Sequence, residues 1–543
     1  MCAGWPWLLA LLSGLLVTLC FAPFGWGDLS WLALAPLVVG VWFGTPSARW
    51  SRLRLFGLGF ACGVGYFGGS LSWLATLTIP GWILLALYLS VYPGLWTVFL
   101  GTVARPDGTD REGRPVWLSS LGNLRVCALG AAAWVGLEWV RSVLFSGFGW
   151  NALGVALNKN VPLIQITDLT GVGGLSFLIV MANLMAVATI KRLIVEVGRG
   201  ARRPHYDFAL TIALIVVAWS YGLRQMLAPP AESVSVTVAA VQANVPQNVR
   251  NDPAQDEAVM DKYRRHTETA IAMAPDLILW PESAPPRPVF NDQSMWDFVR
   301  GLAEEHEGDF LLGTTHYSEQ GDFNSVVLLT DHGRGAAMQH KMHLVPFGEY
   351  VPLRHAFPLF AWVVGDLVPD DFDAGSSITI LEMAVKPVKL GALVCFEDTL
   401  GDLAREFVLR GAQAFAVVTN DGWFLESAGS RQHLENAIFR CAENKIPMVR
   451  AANTGVTCVV DRFGVVREEL RDERGSTFIE GVLFSKMEVP KSVTPTFYAR
   501  YGEVFSLLCL AVATPVAFLR WFRGRRQKVS ACPQPPDQKS STS

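Results

Sequence analysis

Eight apolar runs of near-spanning length set the terms on which this chain can fold. They lie at about 5–24, 29–44, 55–77, 80–103, 126–146, 170–190, 208–228 and 503–522. A helix that crosses a bilayer needs about 20 consecutive apolar residues, because hydrocarbon offers no partner to a free backbone polar group. The run at 29–44 is short and fits a hairpin with the run before it. No small-residue cleavage site follows the first run, which reads as a retained helix rather than a signal peptide. Hydrophobic residues make up 51% of the chain and charged residues only 17%, against about 25% in a soluble globular protein. The excess sits in 1–228 and 503–522, while 231–500 has ordinary soluble composition. A net charge of −3 leaves no basic footprint for nucleic acid.

Basic residues set the orientation of such runs, since cytoplasmic connections carry an excess of Lys and Arg. Arg49, Arg52 and Arg54 separate runs two and three, and Arg105, Arg111, Arg114 and Arg125 separate four and five. Lys191, Arg192, Arg199, Arg202 and Arg203 separate six and seven, and Arg520, Arg523, Arg525, Arg526 and Lys528 close run eight. The intervening connections, 25–28, 78–79 and 147–169, hold only Lys159. Basic and non-basic connections alternate around all eight runs. The expectation is a multi-pass α-helical membrane bundle of eight helices with both termini cytoplasmic and 231–500 outside. Residues 1–230 then hold helices one to seven, and 501–523 form helix eight. Residues 524–543 are a polar cytoplasmic tail with the composition of a disordered segment. Glu138 and Arg141, three apart within a spanning run, are either a structural ion pair or a functional one.

Within 231–500 the apolar periodicity changes to that of an α/β fold. Strands are expected at 234–244, 277–280, 310–314, 325–330, 391–395, 414–418 and 455–460, with helices at 254–274, 400–411 and 430–444. Three of these strands run into chemistry. Gly391-Ala392-Leu393-Val394-Cys395 delivers a thiol followed by Glu397 and Asp398. Leu277-Ile278-Leu279-Trp280-Pro281 ends on Glu282. The stretch from His340 to Glu349 offers Lys341 and Glu349. A thiol becomes a strong nucleophile once a partner takes its proton. A carboxylate closing so apolar a strand suits that work, and a lysine cation can hold an oxyanion. Singly, each has an ordinary reading: a buried small hydrophobe, a helix N-terminal acid, a solvated lysine. The nine cysteines show neither a CxxC pair nor metal-ligand spacing, so neither metal nor organic cofactor is expected.

The order Glu282, Lys341, Cys395, each at a strand end, resembles the nitrilase superfamily of carbon–nitrogen hydrolases. Trp280-Pro281-Glu282-Ser283, Asn324-Ser325, the stretch Lys341–Pro352, Cys395-Phe396-Glu397 and Asn420-Asp421-Gly422-Trp423-Phe424 are similar to one membrane-bound branch, the apolipoprotein N-acyltransferase family. So are Glu138-Trp139-Val140-Arg141, Ser146-Gly147-Phe148-Gly149-Trp150 and Thr494–Arg500. The resemblance implies an α-β-β-α sandwich at 231–500. It implies an enzyme of the bacterial inner membrane with its catalytic domain in the periplasm. That enzyme would move an acyl chain from a phospholipid to the N-terminal amine of a diacylglyceryl-cysteine lipoprotein. Its catalytic residues would be Glu282 as base, Lys341 for the oxyanion and Cys395 as nucleophile, supported by Glu349, Glu397 and Asn324. Substrate contacts would fall to Trp150, Trp423, Phe360 and Trp362, the last two in an apolar run at 357–364 too short to span and read as an arm dipping into lipid. One departure is the stretch Asn248-Val249-Arg250-Asn251, where the family often carries a tryptophan. A membrane-anchored amidase acting on small amides would use the same triad. A transporter with a fused outer domain would need more paired charges in its helices than Glu138 and Arg141.

Overall fold

The computed structural model describes residues 4–44, 52–106, 119–200, 204–229, 232–250, 252–352, 354 and 371–530. All eight apolar runs are helical over part of their length. The helices are α1 (Trp5–Leu19), α2 (Ala35–Phe43), α3 (Arg52–Ser70), α4 (Ile79–Thr102), α5 (Ser120–Val143), α6 (Val172–Arg199) and α7 (Tyr206–Leu227), with α12 (Val504–Ser530) at the far end. Among the described residues, four segments are long and apolar enough to cross a membrane: 79–102, 120–143, 172–198 and 206–227. Trp5–Leu19, Gly27–Phe43 and Val504–Arg520 are shorter apolar stretches. Run two is broken because Pro36, which has no N–H to give a preceding turn, opens α2. Helices α4 and α5 start on side-chain caps, Thr78 and Ser119, each accepting from a backbone N–H of the first turn. Helices α3 and α4 pack backbone to backbone. A Cβ at Gly59 would overlap the Pro93 carbonyl, and one at Gly63 would come within 2.6 Å of Ser90 Cα. Helix α12 continues to Ser530, well into the Arg-rich stretch that composition reads as tail.

Between α7 and α12 lie two six-stranded sheets. The first holds β1 (Ser233–Gln242), β2 (Leu277–Leu279), β3 (Asp309–Ser318), β4 (Gly321–Thr330), β5 (Gly335–His340) and β12 (Gly481–Pro490), in the order β12-β1-β2-β3-β4-β5. The second holds β6 (Leu381–Glu382), β7 (Lys389–Val394), β8 (Ala414–Thr419), β9 (Met448–Ala452), β10 (Cys458–Val460) and β11 (Val466–Glu469), in the order β11-β10-β9-β8-β7-β6. Side chains alternate between faces. Val236, Val238 and Ala240 of β1 meet Leu390, Ala392 and Val394 of β7 in the layer between the sheets. Ala239 and Val241 face outward onto α8 (Asp256–Ala272) and α9 (Gln293–Glu305), with Tyr263, Val299 and Trp280 in that layer.

The outer face of the second sheet carries α10 (Gly401–Leu409) and α11 (Ala428–Asn444). Its apolar layer does not end there. Phe407, Val417 and Phe439 belong to the same buried cluster as Leu37, Trp96 and Ile179 of the apolar helices. The sandwich is therefore α-β-β-α, with its second helical layer packed directly onto the bundle. That packing brings the bundle to the strand ends where the three reactive side chains lie.

Candidate active site

Cys395 follows the last residue of β7 and has φ of +53°. A β-carbon is crowded in that region, so the surroundings must hold the corner. Glu397 supplies the hold. Its Oε2 accepts from Val394 N at 2.9 Å. Its Oε1 accepts from Met342 N at 2.7 Å and His343 N at 2.9 Å. One buried carboxylate thus ties the cysteine corner to the lysine segment. Burial pushes the Glu397 pKa up to about 7, against the pull of Lys341 and the three N–H groups.

Lys341 leaves β5 with its N–H on Asn324 O at 2.8 Å. Its ammonium is 1% exposed, so it must be paired. Nζ lies 2.8 Å from Glu349 Oε2 and 3.7 Å from Glu282 Oε1. Burial alone would lower its pKa, but Glu349, Glu282 and Cys395 outweigh it and hold the ammonium above the ordinary lysine range. Asn324 donates from Nδ2 to Glu282 Oε1 at 2.7 Å and to Glu349 Oε1 at 3.0 Å. The remaining Glu349 oxygen also accepts from Val345 N at 2.9 Å. For Cys395, burial pushes the thiol pKa up and Glu282 adds to that, while Lys341 opposes both. The resting group is a neutral thiol that feels both Glu282 and the Lys341 ammonium. That arrangement suits proton abstraction followed by nucleophilic attack with a cation at the developing oxyanion.

The structure brings Glu282, Lys341, Cys395, Glu349, Glu397 and Asn324 together. Trp150 is 3% exposed, and its ring stacks on Phe396 at 6.2 Å and an interplanar angle of 2°. Trp423 is 39% exposed in the turn Asp421–Phe424 after β8, and its neighbour Phe424 packs on Trp73. Phe360 and Trp362, with the whole run 357–364, lie outside the described residues, as does Asn251. Glu138 and Arg141 both grip the loop before run six. Glu138 accepts from Leu153 N at 2.8 Å, and Arg141 donates to the Trp150 carbonyl at 3.0 Å.

Two groups of residues escape sequence reasoning. Gln432 on α11 is the hub of the contact with the bundle. Its Oε1 accepts from Trp73 Nε1 at 3.0 Å, Asn151 Nδ2 at 2.9 Å and Trp150 Nε1 at 3.2 Å. Its Nε2 donates to the carbonyls of Ala22 at 2.6 Å and Ser70 at 2.8 Å. Beneath the cysteine corner, Asp398, Asp421, His433 and Arg450 form a fully buried charge cluster. His433 lies 2.9 Å from each aspartate, and Arg450 lies 3.2 Å from Asp398 and 3.1 Å from Asp421. Burial works against the His433 cation, but Asp398 and Asp421 raise its pKa to about 9.

Residues 13–185 match the family described as apolipoprotein N-acyltransferase N-terminal domain. Residues 237–484 match the carbon-nitrogen hydrolase family. An apolipoprotein N-acyltransferase of Geobacter metallireducens is 34% identical over 540 residues, 95% of each chain. One of Allorhizobium ampelinum is 31% identical, over 94% of this chain and 96% of its own. Among solved structures, an amidase of the nitrilase superfamily from Nesterenkonia AN1 is 18% identical, over 50% of this chain and 95% of its own, with a TM-score of 0.37. The likeness to the two acyltransferases runs through the bundle and the sandwich alike, and this chain belongs to the apolipoprotein N-acyltransferase family.

Proposed function

We propose that this chain transfers a fatty acyl group from a membrane phospholipid to the N-terminal α-amine of the diacylglyceryl-cysteine of apolipoproteins, through a thioester on Cys395. The observation that carries the reading is the shared environment of Cys395. Glu282 and Lys341 both act on its thiol through their charges, while Trp150 from the bundle stacks on the next residue, Phe396. The family's name supports acylation of lipoproteins in general. An amidase acting on small soluble amides would need the three side chains but not a nucleophile walled by membrane-domain aromatics.

The steps follow from the side chains. Glu282 takes the Cys395 proton, and the thiolate attacks the ester carbonyl of the lipid. Lys341, with a backbone N–H near Phe396, holds the tetrahedral oxyanion. The C–O bond breaks, Glu282 returns the proton to the departing lysophospholipid, and a thioester remains. The lipoprotein amine then attacks that carbonyl, Glu282 takes the proton from nitrogen, and the Cys395 thiol is restored. Glu349 and Asn324 hold Lys341 and Glu282 in place, and Glu397 fixes the corner. Trp423 borders the acyl entrance, Trp150 shapes the wall, and Phe360 and Trp362 reach into lipid.

The proposed topology has eight crossings: residues 1–230 hold the first seven, 231–500 form the periplasmic catalytic domain, 501–523 cross back, and 524–543 follow in the cytoplasm. Contacts of the sandwich support it. Gln432 reaches Ala22, Ser70, Trp73, Trp150 and Asn151, and His343 approaches the Ser146 carbonyl at 3.2 Å. All of these flank the non-basic connections, the ones that charge assigns to the outer side.

The test is transfer in vesicles. The purified chain is given phospholipid carrying a labelled acyl chain and a diacylglyceryl-modified lipopeptide. The reading requires label on the lipopeptide's α-amine, and none when that amine is acetylated beforehand. Label released only as free fatty acid would contradict it.

A further inference from the structure

Strand β7 delivers the nucleophile, and its parallel neighbour β8 ends one residue further on. Val394 is in register with Val418, so Cys395 and Thr419 stand side by side where the two strands finish. Thr419 is fully buried. Its backbone carbonyl accepts from Asn453 N at 3.0 Å. Its side chain acts on the neighbouring Cys395 thiol, and Oγ1 donates to Asp421 Oδ1 at 3.1 Å.

A hydroxyl has one hydrogen to give and two lone pairs to receive with. Asp421 is a carboxylate that can only accept. Burial would raise its pKa, but Arg450 and His433 hold it below the ordinary range. The Thr419 hydrogen therefore points at Asp421 in the resting enzyme, and a lone pair is left for the Cys395 S–H. Once the thiolate forms, sulfur too can only accept. Asp421 keeps His433 at 2.9 Å and Arg450 at 3.1 Å, so it can release the hydroxyl.

On the reading that Cys395 is the nucleophile, we propose that Thr419 is a further catalytic residue. Its hydroxyl accepts from the Cys395 thiol at rest and turns from Asp421 to donate to the thiolate. In that step the S–H bond breaks, the proton goes to the Glu282 carboxylate, and the electron pair stays on sulfur. No other covalent bond changes, and the hydroxyl returns to Asp421 when the thioester removes the charge. The buried cluster of Asp398, Asp421, His433 and Arg450 is the fixed stop against which the hydroxyl swings. A hydrogen bond to an ionised group is stronger than one between neutral groups, so the contact favours the thiolate over the thiol.

The experiment is the pH dependence of Cys395 alkylation by iodoacetamide in the full-length protein, read by peptide mass spectrometry. The charged groups facing the sulfur are Glu282, Lys341 and Asp421, and none is altered by substitution at Thr419. Thr419→Val keeps the shape and removes the hydroxyl. It should move the alkylation midpoint upward and slow alkylation about tenfold below it. Thr419→Ser keeps the hydroxyl and should follow wild type. A wild-type profile in Thr419→Val overturns the proposal, and so does slow alkylation in a folded Thr419→Ser, even where Thr419→Val does not fold. Absence of Cys395 alkylation in wild type would instead count against the nucleophile itself.

Discussion

Lys341 Nζ sits 2.8 Å from Glu349 Oε2, nearer than the 3.7 Å that separates it from Glu282 Oε1. Two carboxylates around one buried ammonium divide the labour. On the proposed mechanism Glu349, itself anchored through Val345 N, neutralises the lysine and leaves Glu282 to accept a proton. Glu282→Gln should cost at least about 100-fold in transfer rate, the usual scale for a general base. Glu349→Gln should cost less in proton transfer but more in stability, because it strips the closest counter-charge from a buried cation. Acyl-transfer rates and thermal unfolding, measured side by side, check the division. Equal loss of rate in two stably folded variants would contradict it.

Gln432 joins the sandwich to the bundle through donors and acceptors that have no water to fall back on. Gln432→Leu leaves three donors and two carbonyls of the bundle without their amide partner. Each buried group so stranded costs about 1–3 kcal/mol. The expected result is a lower thermal midpoint in detergent and impaired transfer. An unchanged midpoint would mean the contact contributes little to docking.

His433 makes the fold sensitive to alkaline pH. Its folded pKa, about 9, lies above the ordinary 6.5. The folded state therefore holds the proton more tightly than the unfolded chain does. That contribution is fully present below pH 6.5 and is lost as pH rises through about 9. Thermal stability should fall across that window, and His433→Gln should be less stable at pH 6 with a flatter slope. A slope as steep in His433→Gln as in wild type would assign the effect to another group.

Trp423 offers a selective test of lipid entry. It is exposed, so Trp423→Ala should spare the fold. Transfer from phospholipid should drop several-fold while alkylation of Cys395 by a small reagent stays at the wild-type rate. Parallel loss of both would mean the side chain supports the site rather than the lipid path.

The strand-end motifs made Glu282, Lys341 and Cys395 legible as candidates because an apolar run that stops on a reactive side chain is a local pattern. Strands β1, β7 and β8 were legible for the same reason. Strand β12 was not, since Ser485 occupies an inward position and interrupts its alternation. Strand β9 was hidden by Arg450, whose charge is matched by Asp398 and Asp421 from elsewhere in the chain. Helix α9 was also missed, although Asp292 caps its first turn. Gln432 and His433 could not be read at all. Their partners lie in the bundle and at the ends of other strands, and no spacing in the chain encodes contacts of that range. Proline broke run two into pieces that composition alone reads as one.

The central claim is an acyl group carried on Cys395, and intact mass spectrometry tests it most directly. The purified protein is incubated with phospholipid and no acceptor. The account predicts a mass gain of one fatty acyl chain in wild type and none in Cys395→Ala. A wild-type protein that gains nothing, while Cys395 remains open to alkylation, would contradict it.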